Sequence, residues 1–373
     1  MKKLGLIVNP VAGLGGRVGL KGTDGPEVVR KALKLGATPE APKRAAEALR
    51  SLSAGVREQL EVIAPPGKMG ADEANAAGFK PTIVGGKPSG GETSPEDTKR
   101  AAKLMLEQGV DLLLFAGGDG TARDIYAAVG DKLPVVGIPA GVKMHSGVYA
   151  TNPKAAARLV SAYLGAEPLP LRDVEVMDID EEAFRQGSVS AKLYGYMKVP
   201  YEPNLVQGMK SGSSGGEDAS LADVAAEVAK RIEPDTVYVL GPGTTLRAVA
   251  KELGLEKTLL GVDILVNGDL VAKDVTETQV LKFIEGKNAA IIVTPIGGQG
   301  HVFGRGNQQI SPAAIRRVGK QNIIVVATPE KLATLRGRPL LVDTGDPETD
   351  TMLSGFLRVV TGFNVETVCR ISA

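Results

Sequence analysis

Val110-Asp-Leu-Leu-Leu-Phe-Ala-Gly-Gly-Asp-Gly-Thr-Ala-Arg-Asp124 runs an apolar segment straight into a turn of three glycines around one acid. The short continuous apolar run predicts a buried strand, and the residues from Thr121 onward are compatible with a helix. Glycine opens backbone angles closed to other residues and lets a ligand approach the main chain. The N–H groups that begin a helix attract phosphate. An aspartate among them repels phosphate, so Asp119 suits a different role. It could accept a proton from a hydroxyl, or hold a substrate hydroxyl beside a nucleotide. The turn points to phosphoryl transfer. The competing reading is a turn aspartate that bonds its own backbone.

Outward from this turn, apolar runs predict strands over Leu4–Val8, Leu60–Ile63, Thr82–Val84, Asp111–Ala116 and Pro134–Ile138. Short runs of this kind suit a parallel sheet covered on both faces. Helices are expected over Ala41–Leu52, over Pro95–Gln108 behind the cap Thr93-Ser94, and from Asn152-Pro153 to about Leu164. The series is βαβ, hence a doubly wound, Rossmann-like α/β sheet with its ligand at the carboxyl ends of the strands. The break at Gly165-Ala-Glu-Pro-Leu-Pro-Leu171 sets an N-terminal α/β domain at 1–165 and a second, strand-rich α+β domain at 166–373. One option leaves the C-terminal tail returning to the first domain. In the second half, strands are expected at Val174–Asp180, Ser188–Val199, Val237–Leu240, Leu259–Val266, Ala290–Thr294 and Ile323–Ala327, with a helix from Leu221 to Ile232. Ser211–Gly216 reads as a mobile loop by composition, and Asn267-Gly268 as a hairpin turn.

Composition narrows the function classes. The chain has 373 residues, enough for two domains, with 43% hydrophobic and 23% charged residues. A net charge of +1 gives no global field to recruit nucleic acid or an acidic membrane. A single cysteine, Cys369, forms no intramolecular disulfide and fits a reducing cytoplasm. The apolar run after Met1-Lys-Lys stops at Asn9, too short for a signal segment, and no stretch approaches the ~20 residues that span a bilayer. No His/Cys cluster has structural-metal spacing.

Other segments carry polar candidates. In Asn9–Gly16, the small residues Ala12, Gly13, Gly15 and Gly16 suit close backbone approach by phosphate, against an ordinary βα turn. It is neither a Walker A loop nor a GxGxxG fingerprint. Gly241-Pro-Gly-Thr-Thr245 is a second glycine turn, where Gly243, Thr244 and Thr245 could hold phosphate or merely start a helix. Asp124 either faces the site or favours its helix start electrostatically. Thr294–Gly300 and Gly304–Gln309 are glycine-rich, with Arg305, Asn307 and Gln308 as polar contacts.

Gly117-Gly118-Asp119-Gly120 resembles the GGDG signature of the NAD kinases, within the group that includes diacylglycerol and sphingosine kinases. Asn9-Pro-Val-Ala-Gly-Leu-Gly-Gly16 resembles the Asn-Pro-x-x-Gly segment of that group. Gly137-Ile-Pro-Ala-Gly-Val-Lys-Met-His-Ser146, Thr294–Gly300 and Gly304–Gln309 are similar to the branch described as polyphosphate/ATP-NAD kinases, over roughly residues 1–345. The resemblance implies that Asp119 orients or deprotonates the accepting hydroxyl, and that Gly117, Gly118 and Gly120 admit nucleotide phosphates. It implies ligand contacts for Asn9, Thr121, Lys143, His145 and Ser146, and a second domain that forms a cleft with the first. It further implies Mg²⁺ carried with ATP or polyphosphate, NAD and ATP as substrates, and a homo-oligomer. The chain departs from the family at Arg172–Asp178, which lacks the Asn-acid pair that holds the NAD ribose, and in the form of Gly137–Ser146. Two alternatives therefore stand beside an NAD kinase: a kinase for another small-molecule hydroxyl, and a nucleotide-binding regulator without turnover.

Overall fold

A computed structural model of the chain describes residues 1–20, 25–86, 88, 93–142, 144–166, 168–179, 191–207 and 218–373. The Ser211–Gly216 segment, expected as a mobile loop, and Lys143 lie outside these residues. Packing divides the chain into two units. The first comprises Met1–Leu14, Thr23–Val29 and Thr38–Met209; the second comprises Gly15–Gly22, Arg30–Ala37 and Lys210–Ala373.

In order, the first part of the chain forms β1 (Lys2–Val8), α1 (Pro26–Lys34), α2 (Ala41–Arg50), α3 (Ala54–Glu58), β2 (Leu60–Ala64), α4 (Ala71–Ala76) and β3 (Thr82–Ile83). Then come α5 (Pro95–Glu107), β4 (Leu112–Gly117), α6 (Asp119–Val129), β5 (Val135–Pro139), α7 (Pro153–Leu164), β6 (Leu171–Ile179) and β7 (Ala191–Pro200). Among the described residues, β1 to β5 make a parallel sheet of order β3-β2-β1-β4-β5. The chain steps one way from β1 to β2 and the other way to β4, so the topological switch point lies between the ends of β1 and β4. That is where a doubly wound sheet binds its ligand.

The apolar runs form strands because they are covered. All six residues of β4 are buried. The helices pack in two pairs, α2 with α7 and α5 with α6. Met105 of α5 presses on Gly5, where a Cβ would come within 2.7 Å of its sulfur. The helix starts follow their caps: Ser94 and Asp97 form a reciprocal capping box, and Asn152 Oδ1 accepts the Ala155 N–H at 2.8 Å. In the capping box, the Ser94 hydroxyl and N–H and the Arg100 guanidinium offset the cost of desolvation and hold the Asp97 carboxyl below its ordinary range.

The unit boundary differs from the expected one. The antiparallel hairpin β6–β7 begins after residue 165 but packs with the first unit. Its inward residues Val174, Val176, Met197 and Val199 are buried in that unit's core. Tyr126 of α6 fills the space where Gly195 lacks a side chain. The hairpin is placed there because its buried face joins the first unit's core.

The second unit carries α8 (Asp218–Lys230), β8 (Val237–Leu240), α9 (Thr244–Glu252), β9 (Asp263–Val266), β10 (Asp269–Ala272), α10 (Glu277–Ile284), β11 (Ala289–Val293) and β12 (His301–Phe303). It continues through α11 (Pro312–Val318), β13 (Ile323–Val326), α12 (Pro329–Ala333), β14 (Leu340–Val342), α13 (Pro347–Leu353), β15 (Gly355–Gly362) and β16 (Val365–Ser372). Its nine-stranded sheet runs β10-β9-β8-β11-β13-β15-β16-β14-β12, with β8, β11, β13 and β15 as successive parallel neighbours. The C-terminal tail belongs to the second unit, where β15 and β16 pair as a hairpin inside this sheet. Asn267 and Gly268 both take positive φ (49° and 84°), the signature of the β9–β10 turn. The strand expected from Leu259 starts only at Asp263. There the buried Asp263 carboxylate accepts the Thr258 N–H and hydroxyl and the Asp274 N–H, each at 2.7 Å, and faces Lys257 Nζ at 3.7 Å. These bonds pin residues 257–263 as a loop.

Candidate active site

β4 ends at Gly117, Gly118 is the N-cap of α6, and Asp119 is the first residue of that helix. Two close approaches account for Gly117, Gly118 and Gly141. A Cβ on Gly117 would lie 2.4 Å from Thr121 Oγ1. A Cβ on Gly118 would meet the Cα of Gly141 at 3.3 Å, and one on Gly141 would meet the Cα of Gly118 at 2.9 Å. The turn after β4 and the turn after β5 thus pass backbone to backbone, and Gly117 C=O accepts the N–H groups of Ala140 and Gly141. Gly120 is the second residue of α6.

Asp119 is buried and its carboxylate faces the segment after β5. Oδ2 accepts the His145 N–H at 2.6 Å and lies 3.3 Å from His145 Nδ1; Oδ1 accepts the Ser146 N–H at 3.1 Å. Ser146 is fully buried. Its hydroxyl donates to Met177 C=O at 2.7 Å and accepts the Met177 N–H at 3.0 Å. Ser146 therefore ties the Asp119 segment to β6, which is a structural role that its sequence context did not announce. Gln207 Nε2 donates to Met144 C=O at 3.3 Å and supports the same segment.

Asn9 closes the site from the β1 side. Its backbone N–H donates to Ala116 C=O at 2.9 Å, its Nδ2 donates to Thr121 Oγ1 at 3.0 Å, and its Oδ1 accepts the Val11 N–H. Asn9, Gly117, Gly118, Asp119, Gly120, Thr121, His145 and Ser146 thus come together at the β1/β4 switch point, as the spacing of the turns anticipates. Asp124 is buried further along α6, with Arg123 Nε 3.8 Å away. Arg123 Nη1 donates to Asp178 of β6 at 2.7 Å, a link with no signal in the sequence.

Other expected site residues have different surroundings. Gly13 takes φ +85°, and a Cβ there would meet Ala140 C=O at 2.5 Å and Glu40 Cβ at 2.9 Å. Its smallness serves protein packing. Gly15 and Gly16 belong to the second unit, where Gly16 backs onto the Gln308 side chain and Gly15 C=O accepts the Leu20 N–H. Arg305 is buried and paired with Asp343 (Nη2–Oδ2 2.9 Å), and Asn307 accepts the Gly304 N–H and donates to Val302 C=O within its own turn. Arg305 and Asn307, expected as substrate contacts, thus hold an internal ion pair and two turn bonds in this structure. Gly243, Thr244 and Thr245 open α9 in the second unit. Among the described residues no three His, Cys, Asp or Glu side chains are grouped to hold a metal ion, and no helix is long and apolar enough to cross a membrane.

The sequence missed Glu73. Its carboxyl is buried in α4, after the β2 turn, and Oε2 has no hydrogen-bond partner. Desolvation by burial pushes it up to about 7, against bonds from the Glu73 and Gly70 backbone that pull the other way.

Comparison with known proteins gives the chain its relatives. No curated protein matches it. Two solved structures of a candidate diacylglycerol kinase from Bacillus anthracis str. Sterne align at 16% identity with a TM-score of 0.26. They match over 48% of this chain and 46% of theirs, so the chain spans less than half the length of these structures. The ATP-NAD kinase N-terminal domain matches residues 4–167, and the ATP-NAD kinase C-terminal domain matches residues 234–371. Two consecutive domains of one family, in order and over most of the chain, establish that it belongs to the ATP-NAD kinase family.

Proposed function

We propose that the chain is a kinase that moves a phosphate from ATP or polyphosphate to the adenosine 2′-hydroxyl of NAD, giving NADP. The observation that carries this reading is Asp119: a buried carboxylate at the switch point of a doubly wound sheet, fixed in direction by the backbone N–H groups of His145 and Ser146. A carboxylate oxygen accepts more than one hydrogen bond. Asp119 can thus take a substrate hydroxyl in addition to its present donors, orient it, and receive its proton as the phosphoryl group arrives. Phosphoryl transfer needs little covalent help, and positioning with charge stabilisation supplies most of the rate. The turn opens α6, where helix N–H groups favour negative charge, and this supports donor phosphate near it. The donor is its Mg²⁺ complex, in which phosphate oxygens and waters fill most of the metal shell. The acceptor rests on the family domains, and the role of Asp119 on geometry.

The test is a coupled NADP assay on purified protein with NAD and Mg²⁺, with ATP in one arm and polyphosphate in the other. NADP formed by the wild type and lost in Asp119→Asn supports the reading and names the donor. NADP formed equally by Asp119→Asn removes the role of Asp119. ATP consumed without NADP moves the acceptor to another hydroxyl.

A further inference from the structure

The His145 ring is a buried titratable group that the proton transfer assigned to Asp119 leaves unused. Its side chain is 7% exposed and that of Asp119 4%, and its Nδ1 stands 3.3 Å from Asp119 Oδ2. The same oxygen accepts the His145 backbone N–H at 2.6 Å. Main chain and ring of one residue thus converge on one carboxylate oxygen. The residues on either side are pinned. Gln207 Nε2 donates to Met144 C=O at 3.3 Å, and the Ser146 hydroxyl bonds both backbone groups of Met177. The ring is therefore carried on a segment anchored before and after it.

The contact decides which ring nitrogen carries the proton. A neutral imidazole has one N–H donor and one bare acceptor, and the partner of either nitrogen fixes the tautomer. An ionised carboxylate offers only lone pairs. A bare Nδ1 at 3.3 Å would set lone pair against lone pair, whereas Nδ1–H makes a hydrogen bond. Asp119 Oδ2 then holds two donors, both from His145. Oδ1 holds one, the Ser146 N–H at 3.1 Å. Each carboxylate oxygen has about two acceptor positions. Oδ2 is filled, and Oδ1 keeps the position that a substrate hydroxyl needs.

We propose that His145 is a positioning residue: its Nδ1–H fixes Asp119 Oδ2 and leaves Oδ1 to face the acceptor hydroxyl. The role rests on the kinase reading of Asp119; the hydrogen bond itself does not. In this role the ring acts through Asp119 by holding the plane of the carboxylate. Misplacing a reacting group by about 1 Å costs on the order of 10²-fold in rate, so a contact that only orients can still govern turnover.

Two readouts test it, and one needs no turnover. The chain has two histidines, His145 and His301. The ¹⁵N spectrum of the full chain with labelled imidazoles therefore holds two rings, taken at about pH 8, where an ordinary imidazole is neutral. Protonated and bare ring nitrogens resonate far apart. His145→Asn removes one ring and so assigns it; if that variant fails to fold, His301→Gln assigns by difference. A protonated Nδ1 at His145 is expected. A bare Nδ1 overturns the proposal, because Asp119 would then be the donor.

The second readout is the NADP assay. His145→Leu should lower kcat about 10- to 100-fold and leave KM for NAD and ATP within about threefold. An asparagine amide nitrogen reaches about as far as Nδ1, so His145→Asn should recover most of kcat. Glutamine reaches toward Nε2 instead, and His145→Gln should not. Recovery by glutamine alone overturns the proposal, as does unchanged kcat in a His145→Leu protein that melts like the wild type. No NADP from a wild type with a protonated Nδ1 defeats the kinase reading, and the positioning role with it, while the bond stands. NADP formed by a wild type with a bare Nδ1 defeats the positioning role alone.

Discussion

The turns at Gly117–Thr121 and Gly241–Thr245 share one design and differ in charge. Each follows a buried parallel strand, crowds glycines against its neighbours and opens a helix with a threonine nearby. The first places an acid at the first helical position and holds it with two backbone N–H groups. The second has no acid in its first turn and sets a lysine against its threonine. The same strand–turn–helix unit therefore carries opposite charges. The acid is held by backbone N–H groups, whereas the lysine is bonded to threonine hydroxyls of its own unit. The sign of the charge, and not the glycine pattern, separates the two.

The largest effect expected from this contrast is on turnover. Asp119→Asn keeps the size of the side chain and removes its capacity to take a proton. Loss of a positioned general base lowers the rate about 10²- to 10⁴-fold, read as kcat in the NADP assay. A fall in affinity with kcat intact would mean that Asp119 only holds substrate, and the contrast between the two turns would be one of charge alone.

Next comes a test of the residues that the contrast leaves out. Arg305 carries the charge expected of a phosphate contact, yet it is buried against Asp343 at 2.9 Å. Removing one partner of a buried pair costs about 3–5 kcal/mol, because the other charge is left uncompensated. Arg305→Ala should therefore lower the melting temperature sharply. A variant with unchanged melting and a raised KM would restore Arg305 to the substrate contacts.

These two residues show what the sequence could disclose. The first sheet was legible because β1, β2, β4 and β5 are nearly unbroken apolar runs, which only a sheet covered on both faces accommodates. Ser94 and Asn152 marked helix starts through side chains that bond locally. The C-terminal hairpin was not legible. In β15 the half-exposed run Gly355-Phe-Leu-Arg-Val-Val-Thr-Gly362 mixes charge with apolar residues, and β12 and β14 are three residues long, too short to show a period. At the site, Asp119, Asn9 and Thr121 were readable because turns after adjacent parallel strands must meet at one sheet edge. Gly13 and Ser146 were not: their decisive neighbours are backbone atoms of Ala140 and Met177, which leave no side-chain pattern. A buried arginine looks the same in sequence whether its partner is a ligand or Asp343.

The glycines offer a finer comparison of the two turns. A Cβ at Gly117 falls 2.4 to 2.8 Å from three atoms of Thr121, whereas one at Gly241 meets Val293 Cγ1 at 3.0 Å and Ile292 C=O at 3.3 Å. Gly117→Ala must displace Thr121 and with it the Asn9 hydrogen bond. We expect it to cost about 2 kcal/mol, and Gly241→Ala about 1 kcal/mol or less, both measured by denaturant unfolding. Adding Thr121→Ala to Gly117→Ala should recover part of the loss. If it recovers none, the crowding lies at the Cβ of residue 121, which alanine keeps.

A small, pH-dependent effect concerns the other acid behind a strand of the first sheet. Glu73 is raised to about 7 by burial, whereas its carboxyl in the unfolded chain titrates near its ordinary 4.5. Between these values the unfolded chain loses its proton while the folded chain keeps it, so stability is highest below about pH 4.5 with respect to this group and falls as pH rises toward 7. Solvent relaxation discounts the full shift, and the expected loss is about 1–2 kcal/mol. Glutamine cannot ionise, so Glu73→Gln should gain stability over the wild type at pH 8 and show little advantage at pH 4.5. Equal differences in melting temperature at the two pH values would show that Glu73 keeps its charge in the folded protein. The first unit would then hold a buried, ionised Glu73 behind β2, and the comparison with the lysine of the second unit would extend to this residue.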